Sequence, residues 1–249
     1  MAYNILLCGV GGQGTVLASK LLAATAGGAG LKVHSAETIG MAQRGGPVTS
    51  HVRIGEDAYS PLIPKGSADL IIAFEPSEAV RNIDFLKKDG AVIVNEVCIK
   101  PVTESLRPTG YDGSEMIRFL KENVSRLITV NSEELCAPFG SPKFFNVAVL
   151  GVAQGAGLLD FSKGEILGTI ESTVKKDFVE INKEAFLKGT EAGAEESYKG
   201  IFPVNVPEDK KAEGASAKPL SSRQMTEEEL QKILAVQKEV EEKKAKKNS

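Results

Sequence analysis

Tryptophan is absent from the 249-residue chain, aromatic residues amount to only 6%, and cysteine occurs three times. Three cysteines in this length exclude a disulfide scaffold and predict a reducing compartment. Neither sign of charge dominates. The 30 Lys+Arg oppose 33 Asp+Glu for a net charge of −3, which argues against a protein that grips a phosphate backbone and predicts no nucleic-acid partner. Long hydrophobic runs are missing too. The nearest, Phe144 to Leu159, is broken by Asn146, Gln154 and three glycines, and falls short of the roughly 18–20 apolar residues that a membrane helix needs. Met1-Ala2-Tyr3-Asn4 lacks the basic region of a signal peptide. No membrane association and a cytoplasmic location are therefore expected. Histidine occurs twice, at His34 and His51, without ligand spacing, so no zinc site is expected.

What remains is ordinary globular composition, 42% hydrophobic and 25% charged. Tyr3 to Cys8 is a short apolar run that reads as a strand buried on both faces. Glycines follow at 9, 11, 12 and 14, and then Thr15 to Ala26 carries a helical pattern. Lys32 to Ala36 predicts a second strand, which completes a strand–turn–helix–strand unit of about 35 residues. Thr38 to Pro47 reads as a loop. Strands are expected at His51–Ile54, Leu70–Phe74, Ala91–Val94 and Arg126–Val130. Helices are expected at Glu78–Leu86, Phe145–Gly157, Lys163–Lys175 and Glu180–Tyr198. The alternation predicts an α/β fold: a Rossmann-like open, mostly parallel sheet with helices on both faces.

Composition changes at Pro203. Residues 1–202 read as one domain, 203–225 as a charged, proline-containing linker, and 226–249 as a charged C-terminal helix. Thr226 and Glu229 fit a capping box flanked by Met225 and Leu230, and Leu230, Ile233, Leu234 and Val240 form a thin apolar stripe.

The turn Gly9-Val10-Gly11-Gly12-Gln13-Gly14 follows a strand and opens a helix. Glycines there let backbone N–H groups approach a ligand, and the helix start adds unpaired donors with partial positive charge. The turn is thus suited to a phosphate or another anion. A P-loop is a poor fit, because Gly14 is followed by Thr15-Val16 and the phosphate-neutralising Lys is missing. A nicotinamide dinucleotide site would use Glu37 at the end of the second strand. An adenylating enzyme would need a pair of acids where only Glu37 stands. Simple close packing of strand and helix is a fourth reading.

The second block, Gly40-Met41-Ala42-Gln43-Arg44-Gly45-Gly46, lies past the second strand at the edge where open α/β sheets bind ligands. Arg44 between small residues can present its guanidinium to phosphate or carboxylate; pairing with a surface acid is the plainer reading. The candidate binding residues are therefore Gly9, Gly11, Gly12, Gln13, Gly14, Arg44, Gly45 and Gly46. Glu75, before Pro76-Ser77, is read as a first-turn helix residue that could line the same edge. No residue stands out as a catalytic acid or base.

The two glycine blocks, with Ser50-His51-Val52-Arg53, Tyr59-Ser60-Pro61-Leu62-Ile63-Pro64 and Ala68-Asp69-Leu70, closely resemble the small (beta) subunit of indolepyruvate ferredoxin oxidoreductases. That subunit is the counterpart of the gamma domain of 2-oxoacid:ferredoxin oxidoreductases. The resemblance spans about residues 3–200, and Met41-Ala42-Gln43-Arg44 favours the arylpyruvate branch. It implies CoA-dependent oxidative decarboxylation of a 2-oxoacid, with electrons passed to ferredoxin. Thiamine diphosphate and 4Fe–4S clusters are implied in a partner large (alpha) subunit, with CoA as co-substrate. A 4Fe–4S cluster needs four thiolates, and Cys8, Cys98 and Cys136 stand apart, so this chain holds none alone. A self-sufficient NAD-binding oxidoreductase and a non-catalytic assembly module remain as alternatives.

Overall fold

A computed structural model describes residues 2–38, 45–99 and 110–198. Gly40 to Arg44 and the stretches expected as a linker (203–225) and a charged C-terminal helix (226–249) lie outside the described residues. The elements run β1 (Tyr3–Val10), α1 (Thr15–Gly28), β2 (Val33–Glu37), β3 (Pro47–Ile54), β4 (Ala68–Ala73), α2 (Pro76–Arg81), β5 (Leu86–Asn95), α3 (Ser114–Asn123), β6 (Arg126–Val130), α4 (Ser132–Cys136), α5 (Phe145–Gly155), α6 (Lys163–Thr173) and α7 (Val179–Tyr198). They form one six-stranded sheet in the order β2-β3-β1-β4-β5-β6. β1, β4, β5 and β6 are parallel, and β3 runs antiparallel to both β1 and β2.

The expected mostly parallel sheet with helices on both faces is what the chain forms, and it follows from alternation along buried strands. Ile5 and Leu7 of β1 join Leu70, Ile72 and Ile93 on one face, beneath α1, α5, α6 and α7. Leu6 and Cys8 join Ile71, Ala73, Val92 and Val94 on the other, beneath Ala79 of α2 and Leu120 and Val124 near the end of α3.

Three local expectations need correction. β3 starts at Pro47 rather than His51, because Val48, Ser50, Val52 and Ile54 alternate into the interior and a proline is tolerated as a strand's first residue. The helix expected over Glu78–Leu86 stops at Arg81. A single tight turn, Ile83–Phe85, follows, and Leu86 already belongs to β5. Ile83 and Phe85 pack on the second core face, which a continuing helix would not allow together. Finally, α3 and α4 occupy stretches with no element expected. Both start on local polar turns: Asp112 accepts from Ser114 N–H, and Asn131 caps α4 by accepting from Glu133 and Glu134 N–H.

The interrupted apolar run is a core helix. α5 is buried from Phe145 to Ala153, and no single helix among the described residues is long and apolar enough to cross a membrane. Its glycines have a packing reason. Gly151 and Gly155 on α5 face Gly189 and Gly193 on α7, a small-xxx-small pair on each helix. A Cβ on any of the four would overlap backbone of the opposite helix: the carbonyls of Phe186, Thr190, Ala148 and Val152 respectively.

At the opposite end of the sheet from the glycine turns, Arg53 donates to Asn4 Oδ1 (2.9 Å) and to the carbonyls of Ser60 (2.9 Å) and Leu62 (3.3 Å). Buried His51 accepts from Ile63 N–H at 3.2 Å through Nδ1, with its ring edge-on to Phe85. That acceptor role requires a neutral imidazole, and burial holds its pKa below the ordinary 6.5.

Two outcomes follow. Gly189→Ala gains about 1 kcal/mol of helix propensity, yet overpacking of this kind costs roughly 1–3 kcal/mol or more, so urea unfolding should show a net loss of stability. His51 contributes stability that is present above pH 6.5 and lost as pH falls through its lowered folded-state pKa. The drop in melting temperature between about pH 7.5 and about pH 5 should therefore be smaller in His51→Asn than in the native chain. Equal drops would show that His51 does not contribute.

Candidate functional site

Parallel strands β1, β2, β4, β5 and β6 all end at one rim, and antiparallel β3 begins there. The glycine turn after β1 and the start of β3 are bonded to each other: Gly11 N–H donates to Gly46 O at 2.8 Å, and Gly45 N–H donates to Gly11 O at 3.3 Å. These bonds extend the β1–β3 ladder past Val10 and Pro47. Of the candidate residues, Gly9, Gly11, Gly12, Gln13, Gly14, Gly45 and Gly46 are therefore brought together, while Arg44 lies outside the described residues.

Within the turn the candidates divide by what they touch. Gly9 has no room for a side chain, since a Cβ would stand 2.8 Å from both Gln13 Oε1 and Phe74 Cβ. Gln13 folds back and braces the bend. Its Oε1 accepts from Val10 N–H at 2.7 Å, and its Nε2 donates to Phe74 O at 2.8 Å. Gly12 is left-handed at φ +105°, and a Cβ there would meet nothing within 4 Å among the described residues. Gly14 caps α1 at φ +87° and supplies no side-chain acceptor. The first-turn N–H groups of α1 thus face the rim without a side-chain cap.

The rim is stitched further along. Phe74 O also accepts from Asn95 Nδ2 at 3.1 Å, and Asn95 Oδ1 accepts from Ser132 N–H at 3.1 Å. Glu75, only 1% exposed, is the cap of α2. Its Oε2 accepts from Ser77 N–H (2.8 Å), Glu78 N–H (3.1 Å) and Ser77 Oγ (2.5 Å), and its Oε1 accepts from Tyr111 OH (2.5 Å). Both oxygens are engaged, so this acid holds structure at the rim. Burial, and then the bond to Glu75, push the Tyr111 phenol far above its usual range, and it stays a donor. Sequence reasoning missed Asn95 and Tyr111. Asn95 is a single polar residue closing the apolar run Ala91–Val94, and Tyr111 stands in the polar stretch Thr109-Gly110-Tyr111-Asp112; neither has a motif around it.

Two of the three cysteines, Cys8 and Cys136, are buried. Burial, with Glu78 and Glu75 nearby, raises the Cys8 thiol well above its normal value, and burial pushes Cys136 up to about 11. Both therefore keep their protons. Glu37 does end β2, as a dinucleotide site would require. Yet β3 intervenes between β2 and β1, setting it two strand spacings, roughly 10 Å, from the glycine strand. Its Oε1 accepts from Ser19 Oγ of α1 at 3.3 Å. That displacement works against a nicotinamide dinucleotide.

Residues 4–192 match the family model described as pyruvate ferredoxin/flavodoxin oxidoreductase. The chain is 42% identical to indolepyruvate oxidoreductase subunit IorB of Archaeoglobus fulgidus, over 76% of this chain and 94% of that one. It is 37% identical to the protein of the same name from Thermococcus kodakarensis, over 78% and 96%. Its fold is that of a keto/oxoacid ferredoxin oxidoreductase gamma subunit from Geobacter sulfurreducens, at TM-score 0.59 and 23% identity, covering 78% of this chain and 99% of that one. A 2-oxoglutarate:ferredoxin oxidoreductase from Magnetococcus marinus, solved with 2-oxoglutarate, coenzyme A and succinyl-CoA bound, gives TM-score 0.60 at 19% identity; 78% of this chain aligns with 31% of that longer chain. With its glycine-turn rim, its six-stranded sheet and a family match over most of its length, the chain belongs to the pyruvate ferredoxin/flavodoxin oxidoreductase family.

Proposed function

We propose that this chain is the small subunit of an indolepyruvate-type 2-oxoacid:ferredoxin oxidoreductase, and that its glycine rim receives a phosphate of CoA. The substrate class is supported by identity to the indolepyruvate subunits, which exceeds the 30% to the pyruvate/ketoisovalerate gamma subunit of Pyrococcus abyssi. Thiamine diphosphate and 4Fe–4S clusters belong to the large subunit in this reading. With two of the three thiols buried and protonated, this chain's donors do not fit a cluster. The large subunit also supplies the route to ferredoxin. The family match ends at residue 192, which supports the reading of residues 203–225 and 226–249 as additions outside the family domain.

One observation carries the CoA assignment: two glycine bends are locked together by backbone bonds, and at Gly12 no described residue fills the space a side chain would take, beside a helix start without a side-chain cap. Arg44, in the connection that Gly45 closes, is assigned a supporting role toward the same anion.

In the reconstituted complex, Gly12→Val fills that space and strains a left-handed position. The KM for CoA should rise about tenfold or more, the equivalent of one charge-assisted hydrogen bond, while the KM for the 2-oxoacid stays near its native value. An unchanged CoA requirement would reduce the turn to packing. Purification of the native complex, with assay of thiamine diphosphate, iron and sulfide by chain, checks the division of labour; metal or cofactor on this chain alone would refute it.

A further inference from the structure

The reading of the glycine rim as an anion cradle leaves one nearby side chain without a role. A helix start such as that of α1 makes no site by itself, but Asn146 stands beside it. Asn146 is the second residue of α5 and is only 8% exposed. It lies directly against the cap of α1: a Cβ on Gly14 would stand 2.9 Å from Asn146 Cβ and collide with Asn146 Nδ2.

Other buried asparagines are engaged. Asn4 donates to Ser67 O and accepts from Arg53, Asn95 donates to Phe74 O, and Asn182 donates to Phe178 O. The amide of Asn146 has no hydrogen-bond partner among the described residues. It is also not sealed in. The fully enclosed unpaired polar atoms among the described residues are His34 Nε2, Ser50 Oγ and Gln154 Oε1. The amide of Asn146 therefore lies against the α1 cap without a hydrogen-bond partner among the described residues. Native proteins rarely leave a buried amide in that state without an external partner.

We propose that Asn146 is a ligand-contacting residue of the glycine rim: its Nδ2 donates to the same anion that the Gly12 and Gly14 turn and the first-turn N–H groups of α1 receive. The inference rests on the anion-cradle reading above and adds a specificity element to it. Donors that come from a turn, a helix start and a second helix approach from different directions. A tetrahedral phosphate, with oxygens on several sides, can meet them together, whereas a planar carboxylate offers two coplanar oxygens. The ligand class is accordingly a phosphate ester or pyrophosphate. The neutral amide fixes its orientation without adding charge.

The test measures equilibrium binding of coenzyme A, and separately of inorganic pyrophosphate, to the purified complex by calorimetric titration. It compares native protein with Asn146→Ala, Asn146→Ser, Asn146→Asp and Gly12→Val. Asn146→Ala should weaken coenzyme A binding about tenfold. Asn146→Asp should weaken it further, because a carboxylate repels the phosphate, and Asn146→Ser should be the mildest. The 2-oxoacid KM and the melting temperature of the alanine and serine variants should stay at native values, which a merely structural role would not produce. If Gly12→Val loses coenzyme A while all Asn146 variants keep native affinity, Asn146 is a packing residue and the cradle reading survives. If Gly12→Val also binds both probes normally, the cradle reading falls and the role of Asn146 with it.

Discussion

The carbonyl of Phe74 is the point on which the rim depends. It accepts from Gln13, which comes from the turn after β1, and from Asn95, which ends β5, so three neighbouring strand ends share one oxygen. Gln13 in turn holds Val10 N–H, and Asn95 holds Ser132 N–H at the start of α4. The glycine turn is therefore fixed by side-chain amides rather than by bulk. This is how a bend of small residues can keep one shape. Backbone amides pointed at a ligand are effective only when their positions are set in advance.

A second constraint works from the other side of the molecule. The glycines of α5 and α7 let the two helices approach until backbone meets backbone. α5 is thereby drawn fully into the core, and its first turn reaches the start of α1. Asn146 lies against Gly14 because of that approach. Core packing and rim geometry are in this sense one arrangement, in which the helix that buries Val147, Val149 and Leu150 also sets an amide against the turn.

Much of the architecture was legible because it is written in periodicity. The apolar runs at Tyr3–Cys8, Leu70–Phe74 and Arg126–Val130 became strands within a residue or two, and the long helices kept their bounds to a similar margin. The meeting of the glycine blocks was legible too, since strand, turn and helix in that order place both at one edge. What was not legible depends on contacts between segments far apart in the chain. The reversal of β3 is set by its pairing with β1 and β2, and nothing local in Pro47–Ile54 declares a direction. Gln13 reads as one residue of the anion-receiving turn, and nothing local announces that Phe74 O, 61 residues away, takes its amide. Glu75 read as a first-turn residue and proved to be the cap itself, with Tyr111 as its distant partner. The repeated spacing of Gly151 with Gly155 and of Gly189 with Gly193 was the available signal for the helix pair.

The reversed course of β3 also has an evolutionary side. Since β2 arrives at the rim and β3 departs from it, the excursion between them leaves and re-enters at a single place. Thr38 donates to Thr49 O at 2.9 Å at its base, and Gly45 and Gly46 are tied to Gly11. Sequence changes between these anchored feet leave the paired register of β1, β2 and β3 as it stands, so the sheet can be inherited intact.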